Sequence, residues 1–270
     1  MDPPLQDLSS SLPPTLTLAN RNAIVTGASR GIGTRIATFL ASRGANVAMT
    51  YTNPTSTPAV EELANQIRAL GREACIIRYD LELPDCGDVI VKEALSGLGV
   101  EKIHILVNNA ALPAMAWADG DGWDPEYFDR VMRVNVRAPA MLVKAIVPHF
   151  DLSGVNRIVN ICSINSRANF PGYSLYSASK AGVDSLTRTW AKELAIKYHC
   201  TVNSVLVGPT ATPDAPVSES RRGAMNMATA EKRLGNMEDV AEIVAWIASE
   251  GSRWVNGDTI GANGGIVIQS

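Results

Sequence analysis

Tyr176 and Lys180 stand four residues apart at the head of a helix-like pattern, within Phe-Pro-Gly-Tyr-Ser-Leu-Tyr-Ser-Ala-Ser-Lys at 170–180. On a helix that spacing puts both side chains on one face, with the ammonium near the phenol. A phenol with a pKa of ~10 is otherwise too weak an acid to exchange protons near neutral pH, and a neighbouring cation lowers it. The pair is a candidate general acid or base, although Tyr and Lys also share many helix faces with no chemistry between them. Other chemistry-bearing residue types are sparse. His104 lies in an apolar strand-like run and His149 and His199 near helix ends, all three reading as structural. Cys75, Cys86, Cys162 and Cys200 show no CxxC or metal-ligand spacing. They read as reduced thiols of a cytoplasmic protein, with no metal site expected.

A second stretch could hold phosphates. Thr26-Gly27-Ala28-Ser29-Arg30-Gly31-Ile32-Gly33 joins a predicted strand to a predicted helix. Its glycines allow a tight turn, close approach to a pyrophosphate and a helix start whose amides face the phosphates. The spacing is GxxxGxG rather than GxGxxG. The same residues also satisfy G-x-S-x-G, the turn on which a hydrolase presents its serine. That chemistry needs an acid and a histidine at the same sheet edge, and the three structural histidines make it the weaker reading. After the next strand, at Tyr51-Thr52-Asn53, there is no acidic residue to hold ribose hydroxyls and repel a 2′-phosphate. Arg30 instead offers a guanidinium, with Thr52 and Asn53 as neutral donors, which favours NADP(H) over NAD(H).

The elements that must position these groups alternate regularly. Apolar runs at 23–26, 46–50, 74–79, 103–107, 157–162 and 201–207 predict buried strands. Amphipathic stretches at 31–42, 59–70, 87–98, 127–150, 176–198 and 237–249 predict helices, and a short last strand follows 255–258. The expected fold is α/β, a doubly wound, Rossmann-like parallel sheet of about seven strands with helices on both faces. One domain is expected over 18–270, after a loose tail at 1–17. Residues 210–233, rich in Pro, Ser, Thr, Asp, Arg and Met and following a strand end, are expected to cover the site as a substrate-loop lid.

Composition excludes several classes. The 270 residues are 46% hydrophobic and 19% charged with net charge -3, and the charges are interspersed, so no nucleic-acid surface is expected. No apolar run approaches the ~18 residues of a membrane span. The first 17 residues carry Asp2 and Asp7 and no Lys or Arg, unlike a signal or transit peptide.

With these residues in view, the chain resembles the short-chain dehydrogenase/reductase family from about Leu16 to the C-terminus. Residues 26–33 are similar to its dinucleotide turn, Asp80-Leu81 to its adenine contact, and Asn108-Asn109-Ala110-Ala111 to its NNAG motif. Asn135 resembles the family's helix asparagine, Ser163, thirteen residues before Tyr176, its catalytic serine, and Tyr176 and Lys180 its YxxxK pair. The resemblance implies that Tyr176 exchanges a proton with a carbonyl oxygen that Ser163 also binds. It implies that Lys180 lowers the phenol and grips the nicotinamide ribose, while Asn135 holds a water through its backbone. The NADP(H) contacts implied are Gly27, Ser29, Arg30, Gly31, Ile32, Gly33, Tyr51, Thr52, Asn53, Asp80, Leu81, Asn109, Ala110, Tyr176, Lys180, Val207 and Thr210. A homodimer or homotetramer through the long helices ending near Phe150 and Tyr198 is also implied.

Two departures stand out: Val207 where the family usually has proline, and Ala111 where NNAG ends in glycine. Trp117, Trp123, Phe170, Tyr173, Met225 and Met227 suggest a broad apolar pocket. The expected activity is NADPH-dependent reduction of a ketone on a bulky, apolar or aromatic small molecule. Imine or iminium reduction, coupled to ring closure in a biosynthetic pathway, is the alternative, and a non-catalytic NADP(H)-binding module the third.

Overall fold

The computed structural model describes residues 17–120, 124–213, 223 and 225–268. Its first half runs β1 (Asn22–Val25), α1 (Gly31–Ser42), β2 (Asn46–Tyr51), α2 (Thr57–Ala69), β3 (Ala74–Arg78), α3 (Cys86–Leu98) and β4 (Ile105–Asn108). The second comprises α4 (Pro125–Met132), a π-helical turn (Arg133–Arg137), α5 (Ala138–Ile146), β5 (Asn156–Ser163), α6 (Asn165–Ala168) and α7 (Ser174–Tyr198). It continues through β6 (Cys200–Val207), α8 (Met237–Ala248) and β7 (Thr259–Ala262). The strands form one seven-stranded sheet in the order β3-β2-β1-β4-β5-β6-β7, and every neighbouring pair is parallel. This is the doubly wound sheet expected.

Strands β1 and β4 are buried along their whole length because helices cover both faces. Alternate residues serve opposite cores: Val25 packs with Ile36 and Leu40 of α1 and Val244 of α8, whereas Ile24 packs with Ile90 of α3, Leu142 of α5 and Leu194 of α7. Each such aliphatic side chain contributes roughly 1.5–3 kcal/mol on burial. Asp184 of α7 ties the second half together. It accepts from Ser204 Oγ (2.9 Å) on β6, Thr259 Oγ1 (2.6 Å) on β7, Arg188 (2.9 Å) and Arg167 of α6. Burial alone would raise its carboxyl, but these bonds outweigh it and hold the group below its ordinary value.

The single helix expected at 127–150 is instead interrupted by the π-helical turn. Pro139 has no N–H to give the carbonyl of Asn135, four residues before it, so the α-ladder cannot run through this point. The tail expected at 1–17 lies outside the described residues except for Thr17. The body starts at Leu18, which is buried and donates its N–H to Arg43 O (2.9 Å). Of the lid expected at 210–233, residues 214–222 and 224 lie outside the described residues. Its two roots are joined: Thr210 pairs with Gly235, Ala211 N–H donates to Gly235 O (2.8 Å) and Gly235 N–H to Pro209 O (3.0 Å). Among the described residues, no helix is long and apolar enough to cross a membrane, and no three His, Cys, Asp or Glu side chains gather as metal ligands. All four cysteines are free.

Candidate active site

Strand β5 ends at Ser163 and α7 opens two residues before Tyr176, so the sheet edge and the helix start meet at the candidate acid. Ser163 and Tyr176 are hydrogen-bonded to one another. Lys180, one turn further along α7, is buried; its Nζ lies 5.8 Å from the centre of the Tyr176 ring. In the ligand-free site, Lys180 does not offset the burial of the phenol. The ammonium donates to Ile161 O (2.7 Å) and lies over the ring face, and loss of hydration dominates. Burial pushes Tyr176 up to about 12, with the Ser163 bond opposing, and pushes Lys180 down. Tyr176 therefore carries its proton across the neutral range, the form needed by a proton donor.

Asn135 sits in the π-helical turn, buried, with its amide fully engaged. Oδ1 accepts from Leu112 N–H (2.7 Å), while Nδ2 donates to Leu112 O (3.0 Å) and Ser179 Oγ (3.0 Å). Ser179 Oγ donates in turn to Tyr176 O (2.7 Å). Asn135 thus fixes both the loop entering at Leu112 and the first turn of α7. The Asn135–Pro139 spacing in the sequence was the available sign that the helix would be distorted at this asparagine.

The glycine turn occupies the carboxyl end of β1, where strand order reverses between β1 and β4, the usual ligand crevice of such sheets. Gly27 adopts φ +67°, and a Cβ there would come 2.9 Å from Ala110 Cα. A Cβ on Gly33 would meet Gly27 O at 2.2 Å and Asn109 Nδ2 at 2.6 Å. Thr50 straps the turn to β2, its backbone O accepting from Ala28 N–H (2.9 Å) and its hydroxyl from Gly27 N–H (3.3 Å). Asn109 Nδ2 donates to Thr26 O (2.8 Å) and Gly27 O (3.1 Å). Expected on the adenosine side, its amide is instead a brace for the phosphate turn. Ser29 and Ile32 lie on the turn and the first helical residues, and Arg30 is the exposed N-cap of α1.

Three further expectations change. The Tyr51 ring is buried in the core with its hydroxyl against Thr57 Oγ1 (3.0 Å), so only its backbone reaches the edge. Leu81 is likewise a core side chain. Asn53 caps the short helical turn that follows it by accepting from Thr55 N–H (3.0 Å). Thr52 and Asn53 are exposed, and Asp80 accepts from Glu82 N–H (2.9 Å). Thr212, in the segment expected to cover the site, brings its methyl within 3.6 Å of where a Cβ on Gly31 would sit, so the chain following β6 returns over the glycine turn. Its particular contact with Gly31 had no sign in the spacing.

Val207 closes β6, paired with Ser163 on one side and Ala262 on the other. Val207 stays in the ladder, its carbonyl accepting from Ile164 N–H (3.0 Å) as a proline carbonyl could also do; what valine adds is the backbone N–H that proline lacks. Thr210 is buried and donates its hydroxyl to Gly208 O (3.0 Å). On the substrate side, Ala116 N–H donates to Gly172 O (2.8 Å), which sets Trp117 and Met115 against Gly172, with both side chains largely exposed. Phe170 packs under Cys162 and Leu206, Tyr173 is half-buried, and Met227 is exposed. Trp123 lies outside the described residues.

The hydrolase alternative fails on geometry. His104 precedes β4 and accepts from Asn22 N–H (3.1 Å). The His149 carbonyl accepts from Ile103 N–H (3.0 Å), and the His199 carbonyl from Asn156 N–H (2.9 Å). All three histidines therefore sit at the amino-terminal edge of the sheet, opposite Ser29.

The glycine turn at the switch point and the Ser163, Tyr176 and Lys180 group lie at the same carboxyl edge of the sheet, as in a dinucleotide-dependent oxidoreductase of the doubly wound class. Residues 27–267 match the family model described as Enoyl-(Acyl carrier protein) reductase. A short-chain dehydrogenase/reductase of Cladobotryum sp, FrzI, is 40% identical over 265 residues, covering 94% of this chain and 98% of its own. A blue fluorescent protein from a metagenomic library, solved with NADPH, superposes with TM-score 0.86 at 32% identity, covering 93% of this chain and 100% of its own. The angucycline C-6 ketoreductase LanV, solved with NADP, gives 0.84 at 33% identity over 92% of this chain and 96% of its own. The chain belongs to the short-chain dehydrogenase/reductase family.

Proposed function

We propose that this enzyme is an NADPH-dependent reductase of a ketone carried by a bulky, apolar or aromatic small molecule. The observation that carries the reading is the protonated Tyr176 phenol bonded to Ser163 at the end of β5. Ser163 would hold the carbonyl oxygen and Tyr176 would give it a proton, while Asn135 and Ser179 keep the head of α7 in place. NADPH, when bound, supplies the hydride. The glycine turn would take its pyrophosphate, Arg30 with Thr52 and Asn53 its 2′-phosphate, the 80–81 turn its adenosine side, and Val207 to Thr210 with Lys180 its nicotinamide half. LanV, an angucycline C-6 ketoreductase solved with NADP, supports both the cofactor and ketone reduction. The exposed Trp117 and Met115 beside Gly172 support an apolar mouth. The reading extends to a cytoplasmic homodimer or homotetramer serving a biosynthetic pathway, with 210–233 covering the site.

Its test is turnover of a size-graded ketone panel, with a cyclic imine included, using NADPH and NADH in parallel. Polycyclic aromatic ketones are expected to oxidise NADPH, with kcat/KM at least about tenfold above NADH, and Arg30→Ala is expected to remove most of that preference. Turnover of the imine alone would move the reading to imine reduction. Tight NADPH binding with no turnover would make the protein a binding module.

A further inference from the structure

Resting on the cofactor reading above, we propose that Glu82 is a positioning residue that fixes the adenosine-side turn after β3 by clamping it to α4 and the π-helical turn. The turn is only loosely defined by its own bonds, Glu82 N–H to Asp80 Oδ1 (2.9 Å) and Leu83 N–H to Asp80 O (3.1 Å). Three arginines secure it to the rest of the molecule. Arg130 Nε donates to Glu82 Oε1 (2.6 Å), Arg133 Nη2 to Glu82 Oε2 (3.4 Å), and Arg137 Nη2 to the Glu82 carbonyl. Positions 130, 133 and 137 recur at helical spacing and so share one face.

This cluster differs from an ordinary surface pair. The Glu82 side chain is 23% exposed, and Leu81 beside it is anchored in the core. Burial alone would raise the Glu82 carboxyl, but Arg130 and Arg133 outweigh it and hold the group below its usual range, so it stays charged at neutral pH. Glu126 also pairs with Arg133, from the exposed side. Without the Glu82 carboxylate the neighbouring guanidinium groups would repel one another, and the turn would be held only by Leu81 and by the Arg137 bond to the Glu82 carbonyl. The segment gripped by Glu82 also carries Asn135, whose amide holds Leu112 and, through Ser179, the Tyr176 carbonyl. Glu82 therefore registers the carboxyl end of β3 against the same rigid piece that positions the acid. The expected consequence is on affinity for the adenosine half of the cofactor.

The experiment compares the full chain with Glu82→Gln by titration with NADPH and with adenosine 2′,5′-bisphosphate, alongside steady-state kinetics. Both dissociation constants are expected to rise about tenfold, the size of one lost charge-assisted bond, with kcat at saturating NADPH unchanged. Arg130→Gln, which leaves Glu82 in place, is expected to weaken both ligands in the same direction. The double variant should be no weaker than the weaker single variant. Wild-type affinity in Glu82→Gln would overturn the proposal and leave the cofactor reading standing. Failure of the wild-type chain to bind NADPH would overturn both. A proportional fall of kcat and affinity with a lowered Tm would mark Glu82 as merely structural and also overturn it.

Discussion

Tyr176→Phe is expected to lower kcat for ketone reduction by ~10²–10⁴-fold, the usual worth of a positioned general acid, while NADPH affinity and Tm stay at wild-type values. The substitution keeps the ring that packs against Ala114, Val131 and Leu175 and removes only the hydroxyl bonded to Ser163. Its pH behaviour is fixed in sign. Burial raises the phenol to about 12 in the ligand-free protein, so the donor form persists below that value and is lost as pH rises through it. Tyrosinate absorbance present in wild type and missing from Tyr176→Phe should therefore develop above the ordinary value of 10. Development below 10 would show that Lys180 does acidify the phenol. A variant with undiminished kcat would remove Tyr176 from proton transfer.

Gly33→Ala is expected to weaken NADPH binding by ~10²-fold, the scale of a 1 Å misplacement in a positioned site. Alanine is normally the better helix residue by about 1 kcal/mol, so intrinsic propensity predicts a mild gain in stability. Packing reverses that sign at this position. The new methyl would lie 2.2 Å from Gly27 O and 2.6 Å from Asn109 Nδ2, and neither is the free end of a flexible chain. One is backbone and the other is bonded to Thr26 O and Gly27 O, so the phosphate turn itself must move. Titration of the folded variant with NADPH reads the effect. Affinity within a small factor of wild type would show that the turn is not where the phosphates bind.

The sheet was legible because its signal is local: continuous apolar strands such as Ile105–Asn108 alternate with amphipathic helices, and that pattern admits few packings. Tyr176, Lys180 and Ser163 were legible through their spacing and order. What sequence could not give was direction. Tyr51 and Leu81 fall at the right strand ends, but side-chain alternation and the approach of α2 and α3 turn them into the core. Asn109 has the right type, yet its amide faces the turn rather than a ligand. The effect of Lys180 on the phenol depends on where its Nζ finds an acceptor, and Ile161 O is contributed by a strand far from it in the chain. Thr212 and the Glu82 clamp arise only from tertiary approach, joining segments 181 and 48 residues apart or more.

The central claim is hydride delivery to a ketone carbon with the proton given by Tyr176. The most direct measurement is reduction of a polycyclic aromatic ketone with NADPH carrying deuterium at the transferable C4 position, followed by mass and proton spectra of the product. The expected result is one deuterium on the carbinol carbon for each NADPH consumed by wild type, with labelled alcohol forming ~10²–10⁴-fold more slowly in Tyr176→Phe. Cofactor consumption without a labelled alcohol, or labelled alcohol formed by the variant at the wild-type rate, would contradict it.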